Sequence, residues 1–482
     1  MYLGIDLGTS EVKLLLLDGN GRIVGTAGSA LTLSTPQPLW SEQNPADWWR
    51  ATGEAVSQLR TTHPLAFSQV RAIGLSGQMH GAVLLDASDA VLRPAILWND
   101  GRCHAECADL EAAAPALHDI AGNLAMPGFT APKLLWVRKH EPERFAEVAS
   151  VLLPKDWLRL QLTGEKVSDP SDAAGTLWLD VARRDWSDEL LAATGLTRAH
   201  MPRLVEASQP SGVLKPEIAK AWGLGAEVVV AGGAGDNAAS AIGIGATNPG
   251  DGFISLGTSG VLFVVNDRYR PNPASAVHAF CHALPQRWHQ MSVMLSAASC
   301  FRWFCNLVGQ NESALLAELT SNDNAVDAPT FLPYLAGERT PHNDPFAPGV
   351  FHGLKAGTTR ADCTYAVLEG VAFGLADGLD ALRAAGTEVS QLSLVGGGSR
   401  SPYWAQLIAD ALGVEIVVHA GSEAGGALGA ARLGWLATGA AVETVCTRPD
   451  ITARFAPSSE RHARLAPRLA RFRDLYCRLR GA

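Results

Sequence analysis

Residues Tyr2 to Asp18 read YLGIDLGTSEVKLLLLD: two apolar runs, Tyr2–Ile5 and Val12–Leu17, flank a polar turn holding Asp6, Gly8, Thr9, Ser10 and Lys13. This pattern predicts a β-hairpin. Gly8 permits a positive φ, Thr9 and Ser10 offer hydroxyls and amides to a phosphate, and Asp6 stands where a carboxylate can hold a hydrated Mg²⁺. An ordinary hairpin with a solvated turn explains the stretch equally well until its second copy is found. Residues Gly252 to Val265 read GFISLGTSGVLFVV and repeat the string LGTS (Leu7–Ser10, Leu256–Ser259) between apolar, β-rich runs. A hairpin repeated half a chain apart predicts a duplicated domain.

The 482 residues exceed what one core organises, so two domains are expected, 1–246 and 247–482, joined through Ala246–Gly252 (ATNPGDG). With 47% hydrophobic and 18% charged residues and no block of like charge, the chain has a globular composition. A net charge of −9 argues against a nucleic-acid partner, because phosphate backbones are gripped by clustered Lys and Arg. The chain opens directly on a strand, and its long apolar, glycine-rich run near 228–247 carries Asp236 and Asn237. Neither a signal peptide nor a membrane span is expected. Eight cysteines lie scattered without a C-x-x-C pair, which predicts reduced thiols in a cytoplasmic protein. His278 and His282, four apart, have the spacing of a shared helix face, but no third ligand accompanies them, so a structural role is expected rather than a metal site.

Asn44 and Pro45 predict the start of a helix reaching about Arg60, and Val70–Leu75 a buried strand running into SGQMHG (Ser76–Gly81). Residues 106–195 read as mainly helical. In the second half a long helix is expected from about Arg360 to Arg383. Strand Gln391–Val395 then leads through Gly396–Gly398 into a helix from Ser399 to Leu412. Pro467 is expected to open a last helix whose arginines form a solvated face.

There is no G-x-x-x-x-G-K-[ST] and no G-x-S-x-G, so neither a P-loop nor a nucleophile elbow is present. Two hydroxyl-rich hairpins, a glycine turn opening a helix, and Asp236 among Gly232, Gly233, Ala234 and Gly235 remain. A carboxylate so placed is either a helix cap or a reactive group. The small neighbours favour the second reading, since they let a substrate approach the backbone.

The strings GIDLGTS (4–10), SGQMHG (76–81), WNDGR (98–102), GGAGDNAA (232–239), SLGTSG (255–260), GERTP (337–341) and GGGSRSPYW (396–404) together resemble the FGGY family of sugar kinases over nearly the whole chain. Gly128–Trp136 and Gly349–Glu369 resemble that family's two signature stretches, with Cys363 a departure in packing. The resemblance implies an α/β fold of two actin-like, ribonuclease H-like ATPase domains with an active-site cleft between them. It implies ATP-dependent phosphorylation of a ketose, D-xylulose at its 5-hydroxyl, with Mg²⁺ accompanying ATP and a homodimer as the assembly. By the same resemblance Asp236 is the base and Asp6 helps hold Mg²⁺ and phosphates. Met79, His80, Asp100 and Asn237 contact the sugar. Thr9, Ser10, Lys13, Gly257, Thr258, Gly397 and Ser401 contact ATP. The competing readings are a related kinase for ribulose, fuculose or glycerol, and a non-catalytic actin-like ATP switch, which would have no use for Asp236, Met79 and His80.

Overall fold

The computed structural model describes residues 1–319, 328–420 and 425–480. The first half is built on a seven-stranded sheet. Its strands are β1 (Tyr2–Leu7), β2 (Glu11–Leu17), β3 (Ile23–Ala30), β4 (Ala72–Gly77), β5 (Pro210–Val213), β6 (Val229–Ala231) and β7 (Ala234–Gly235). Their order is β5-β6-β4-β1-β2-β3, with β7 also paired to β4. The opening hairpin forms as expected, with Asp6 opposite Lys13, although Gly8 is absent from the residues with positive φ. Helices α1 (Pro45–Thr62), α2 (Thr130–His140), α3 (Pro154–Thr163) and α4 (Asp236–Ile244) complete the parts that position the site. Asn44 caps α1 by accepting the Ala46 N–H at 3.1 Å. The stretch 106–195 is less helical than its composition predicts, because short strands at Ser150–Leu152, Val167–Ser168, Leu179–Asp180 and Asp185–Trp186 interrupt it.

The second half repeats the plan. Its strands are β8 (Gly252–Leu256), β9 (Gly260–Asn266), β10 (His278–Cys281), β11 (Trp288–Met294), β12 (Gln391–Val395), β13 (Glu415–His419) and β14 (Ile451–Phe455). They are ordered β10-β11-β9-β8-β12-β13-β14. In both sheets the LGTS hairpin is extended by an antiparallel neighbour on one side, and its first strand pairs in parallel on the other, β1 with β4 and β8 with β12. The helices are α5 (Ala298–Val308), α6 (Arg360–Ala384), α7 (Pro402–Leu412), α8 (Gly425–Leu436) and α9 (Ser459–Leu479). His278 lies on a strand, so the pair shares no helix face.

Pro467 lies inside α9 rather than at its start, since Ser458 caps the helix by accepting the Arg461 N–H. Nor are all the arginines of α9 solvated: Arg468 is buried and donates to both carboxylate oxygens of Glu369, at 2.5 and 2.6 Å. That pair, with Phe472 and Leu475 in the core, offsets the hydrogen bond that proline forfeits.

Two features join the halves. Helix α8 belongs to the second half yet lies on the first sheet. Its backbone comes so close that a Cβ on Gly4 would stand 2.0 Å from the Ala427 carbonyl oxygen, and one on Gly74 would stand 1.7 Å from that of Ala430. Its other side crosses α4 as closely, at Gly429 against Ala239. Away from that crossing, Phe129, Leu177 and Trp178 share an apolar cluster with Phe253, Phe263 and Phe280 of the second sheet. Arg184 donates to the carbonyls of Arg287 (2.8 Å) and His282 (3.1 Å) at the same seam.

Candidate active site

The end of β4 is the shelf on which the chemistry is assembled. Asp6 of β1 stands in register with Ser76, and Leu7 with Gly77. On the other side Ala234 and Gly235 pair with Ser76 and Gly77, so that Asp236 follows directly as the first residue of α4. Ser76 Oγ donates to Asp6 Oδ1 at 2.7 Å. Burial raises the pKa of Asp6, opposed by the Ser76 hydrogen bond and the charge of Lys13. Asp236 Oδ1 accepts from the backbone N–H of Asn237 (2.7 Å) and from its Nδ2 (2.9 Å). Burial first, and the charge of Asp6 second, push its pKa up to about 6. Burial and the neighbouring charge of Asp6 together give Asp236 the character of a group that accepts a proton near neutrality.

The glycines before Asp236 serve packing rather than access. A Cβ on Gly232 would meet the Glu206 carbonyl oxygen at 2.4 Å, and one on Gly233, whose φ is 69°, would meet that of Leu75 at 2.7 Å. Gly235 receives Met79, whose sulfur would lie 2.9 Å from an added Cβ. Over Asp6 lies the first turn of α8, where a Cβ on Gly426 would stand 2.6 Å from Asp6 Oδ2. Among the described residues no Lys or Arg pairs with Asp6, and no cluster of three His, Cys, Asp or Glu forms a metal cage. A half-buried carboxylate beside a helix N-terminus suits a hydrated Mg²⁺ that arrives with phosphates and takes only one or two protein oxygens.

The other expected residues separate into those brought to the site and those held elsewhere. Thr9 Oγ1 donates to Gln78 Oε1 (3.0 Å) and accepts from Trp98 Nε1 (2.9 Å), which ties three of the sequence motifs together and engages that hydroxyl inside the protein. Ser10 is exposed, and Lys13 is exposed with its Nζ 3.5 Å from Glu11. Met79 is buried.

His80 adopts φ 69°. Its Nδ1 is held by the Gly175 carbonyl at 2.6 Å, and its own carbonyl accepts from Lys133 Nζ at 2.8 Å. Burial lowers its pKa to about 3, so the ring is neutral with Nε2 left as acceptor. Asp100 requires correction: its side chain has no exposure, grips Arg102 (2.7 Å) and accepts the Ser41 N–H (2.6 Å). It shapes the WNDGR turn, with both of its oxygens engaged inside the protein.

In the second half a cavity of about 550 Å³ collects Gly257, Thr258, Gly397 and Ser401, together with Ser299 and Arg302, which the motifs did not reveal. Gly396, with φ 89°, folds the glycine turn against β8, where an added Cβ would stand 2.9 Å from the Leu256 carbonyl oxygen. Ser401 caps α7 by accepting the Trp404 N–H at 3.2 Å.

Arg339, within GERTP, ends a buried chain of side chains that the motifs did not reveal. Asn123 Nδ2 donates to the carbonyls of Ala121 and Ala279, leaving its Oδ1 to face His278 Nδ1 at 3.2 Å. That leaves His278 Nε2 as acceptor for Arg339 Nη1 at 3.3 Å. Only a positional coincidence of three distant residues reveals this.

All eight cysteines are unpaired, and among the described residues no helix is long and apolar enough to cross a membrane.

Residues 1–243 match the family model described as the FGGY family of carbohydrate kinases, N-terminal domain, and residues 252–438 match its C-terminal domain. The chain is 53% identical over 482 residues to the xylulose kinase of Escherichia coli (strain K12), with 99% of each chain covered. It is 51% identical over 487 residues to that of Klebsiella pneumoniae, with 100% of this chain and 99% of the relative covered. The crystal structure of a xyloylose kinase from Brucella ovis superposes with a TM-score of 0.97 at 54% identity, over 100% of this chain and 99% of the other.

Proposed function

Because the chain belongs to the FGGY family of carbohydrate kinases, we propose that it transfers the γ-phosphoryl group of ATP to the 5-hydroxyl of D-xylulose, giving D-xylulose 5-phosphate and ADP. The choice of sugar rests on the full-length similarity to proteins named xylulose kinase. The observation that carries the mechanism is the pair Asp6 and Asp236 on either side of β4.

In this reading Asp236, ionised at neutral pH, accepts a hydrogen bond from the 5-hydroxyl, aims its oxygen at the γ-phosphorus and takes its proton as the bond forms. The proton leaves late in a loose transition state, so orientation matters as much as basicity. Asp6 would hold a hydrated Mg²⁺, which when bound neutralises charge on the phosphates. Backbone amides of the first turn of α8, with Ser10, Gly257 and Thr258, hold the phosphate oxygens, while Gly397 and Ser401 border the adenosine. Met79 and the Nε2 of His80 face the sugar. Residues 246–252 serve as the pivot for closure. The apolar seam between Phe129 and Phe280 favours rotation about that side, and closure excludes water as a competing acceptor. The reading places the enzyme in the cytoplasm, where reduced thiols and ATP coexist.

The test is ADP release with Mg²⁺ and ATP, comparing D-xylulose with D-ribulose, L-ribulose, glycerol and no sugar. Preference for D-xylulose is the expected outcome. Preference for another acceptor would overturn the substrate, and sugar-independent turnover would overturn the kinase reading.

A further inference from the structure

Behind the shelf lies a buried group of charges that no step above uses. Lys155 Nζ stands 2.6 Å from Asp156 Oδ1, 2.9 Å from Asp169 Oδ1 and 3.1 Å from Asp172 Oδ2, and Arg159 Nη1 stands 3.2 Å from Asp156 Oδ1. None of the five side chains has any solvent exposure. Two cations face three carboxylates, and burial raises Asp172 well above the usual carboxylate range. Apolar side chains of similar volume stabilise an interior as well as such a network, or better. Stability is therefore a poor reason for its presence.

What these groups grip is the backbone that delivers Asp236. Arg159 Nη2 donates to the Gly232 carbonyl and, at 3.4 Å, to that of Ala231, while Nη1 donates to the Val167 carbonyl at 2.6 Å. Ser171 donates its hydroxyl proton to Asp169 Oδ2, and its oxygen accepts the N–H of Gly235 at 3.3 Å. Lys155 backs the partner strand, for a Cβ on Gly77 would stand 3.0 Å from Lys155 Cβ, and Gly77 is the residue paired with Gly235. The turn 231–235 is thus held from one side at its carbonyls and from the other at the amide next to the carboxylate.

We propose that this network, acting through Arg159 and Ser171 on the turn before Asp236, positions the Asp236 carboxylate for phosphoryl transfer. Arg159 and Ser171 are positioning residues: neither touches the reacting atoms. The proposal rests on Asp236 being the base, and the experiment separates the two.

Full-length Ser171→Ala, Ser171→Thr, Arg159→Lys and Asp236→Asn are compared for kcat, for KM of ATP and of sugar, and for melting temperature. Ser171→Ala, folded by circular dichroism, should lose about tenfold in kcat, since small misplacements of a reacting group are costly. Its KM for ATP should stay within about twofold, the mark of a transition-state effect. Ser171→Thr, which keeps the hydroxyl, should recover most of the loss. Arg159→Lys should lose more than Ser171→Ala; if it does not fold, the Ser171 pair decides alone. Wild-type kcat in Ser171→Ala, with or without a lowered melting temperature, overturns the proposal while an inactive Asp236→Asn leaves the base intact. An active Asp236→Asn overturns both.

Discussion

In the first hairpin Asp6 faces Lys13 across the strands, and Thr9 is locked between Trp98 and Gln78. In the second, the positions of Asp6 and Thr9 are taken by Ser255 and Thr258. Ser255 faces Val261, and Thr258 is exposed on the rim of the 550 Å³ cavity. Even the registers differ: Leu7 pairs with Val12, whereas Leu256 pairs with Gly260, so the second turn is one residue shorter. The duplication supplied one backbone twice. In the proposed reading, chemistry settles where a carboxylate was kept beside the shelf of β4, and nucleotide binding where the turn stayed open to solvent beside Gly396–Gly398.

This division of labour can be broken at its strongest point by Asp236→Asn, which should lower kcat by about 10³-fold, within the range for removal of a general base. The KM for ATP should change little; ADP release against substrate concentration checks both. Asp6→Asn should lower kcat by about 10²-fold. It should also move the acid limb of the pH–rate profile below pH 6, because the charge of Asp6 is one of the two causes that raise the Asp236 pKa. A limb that stays in place would mean that the two carboxylates do not sense each other. On the other hairpin, Thr258→Ala should raise the KM for ATP about tenfold, the worth of one hydrogen bond to a charged group, with kcat nearly unchanged. Equal effects of Thr258→Ala and Asp6→Asn on kcat would erase the distinction.

The smallest effect concerns stability. The folded pKa of Asp236, about 6, lies above its ordinary value of 3.8. The folded state therefore favours the protonated carboxyl, and stability falls as pH rises through 6. Asp236→Asn should accordingly melt higher than wild type at pH 8, with the gap narrowing by about half at pH 5 and closing only below the ordinary value of 3.8, as read by thermal denaturation.

Much of this was legible because it is local. The hairpins, the Asn44–Pro45 helix start, the Gly396–Gly398 turn and the place of Asp236 at a strand end all follow from periodicity and turn chemistry within short windows. What escaped is non-local. Asp100 looks available in WNDGR, and only folding brings Ser41 and Arg102 around it. The glycines before Asp236 suggest access, whereas Glu206, Ala207 and Leu75 fill the space beside them. Pro467 signals a helix start, and tertiary contacts of Arg468 and Phe472 outweigh it. The charges around Lys155 are spread over segments whose meeting no spacing announces.

Helix α8 carries one consequence for how the protein can be taken apart. A cut in the 246–252 joint would not yield two self-sufficient pieces. The N-terminal fragment would present the bare glycine-lined face of β1 and β4, and the C-terminal fragment would carry a helix rich in alanine and glycine with nothing to cover it. Each fragment is the other's missing ligand. Separately made, they should stay incompletely folded, and mixing should restore one kinase by complementation, with α8 docking in trans as the peg that joins them.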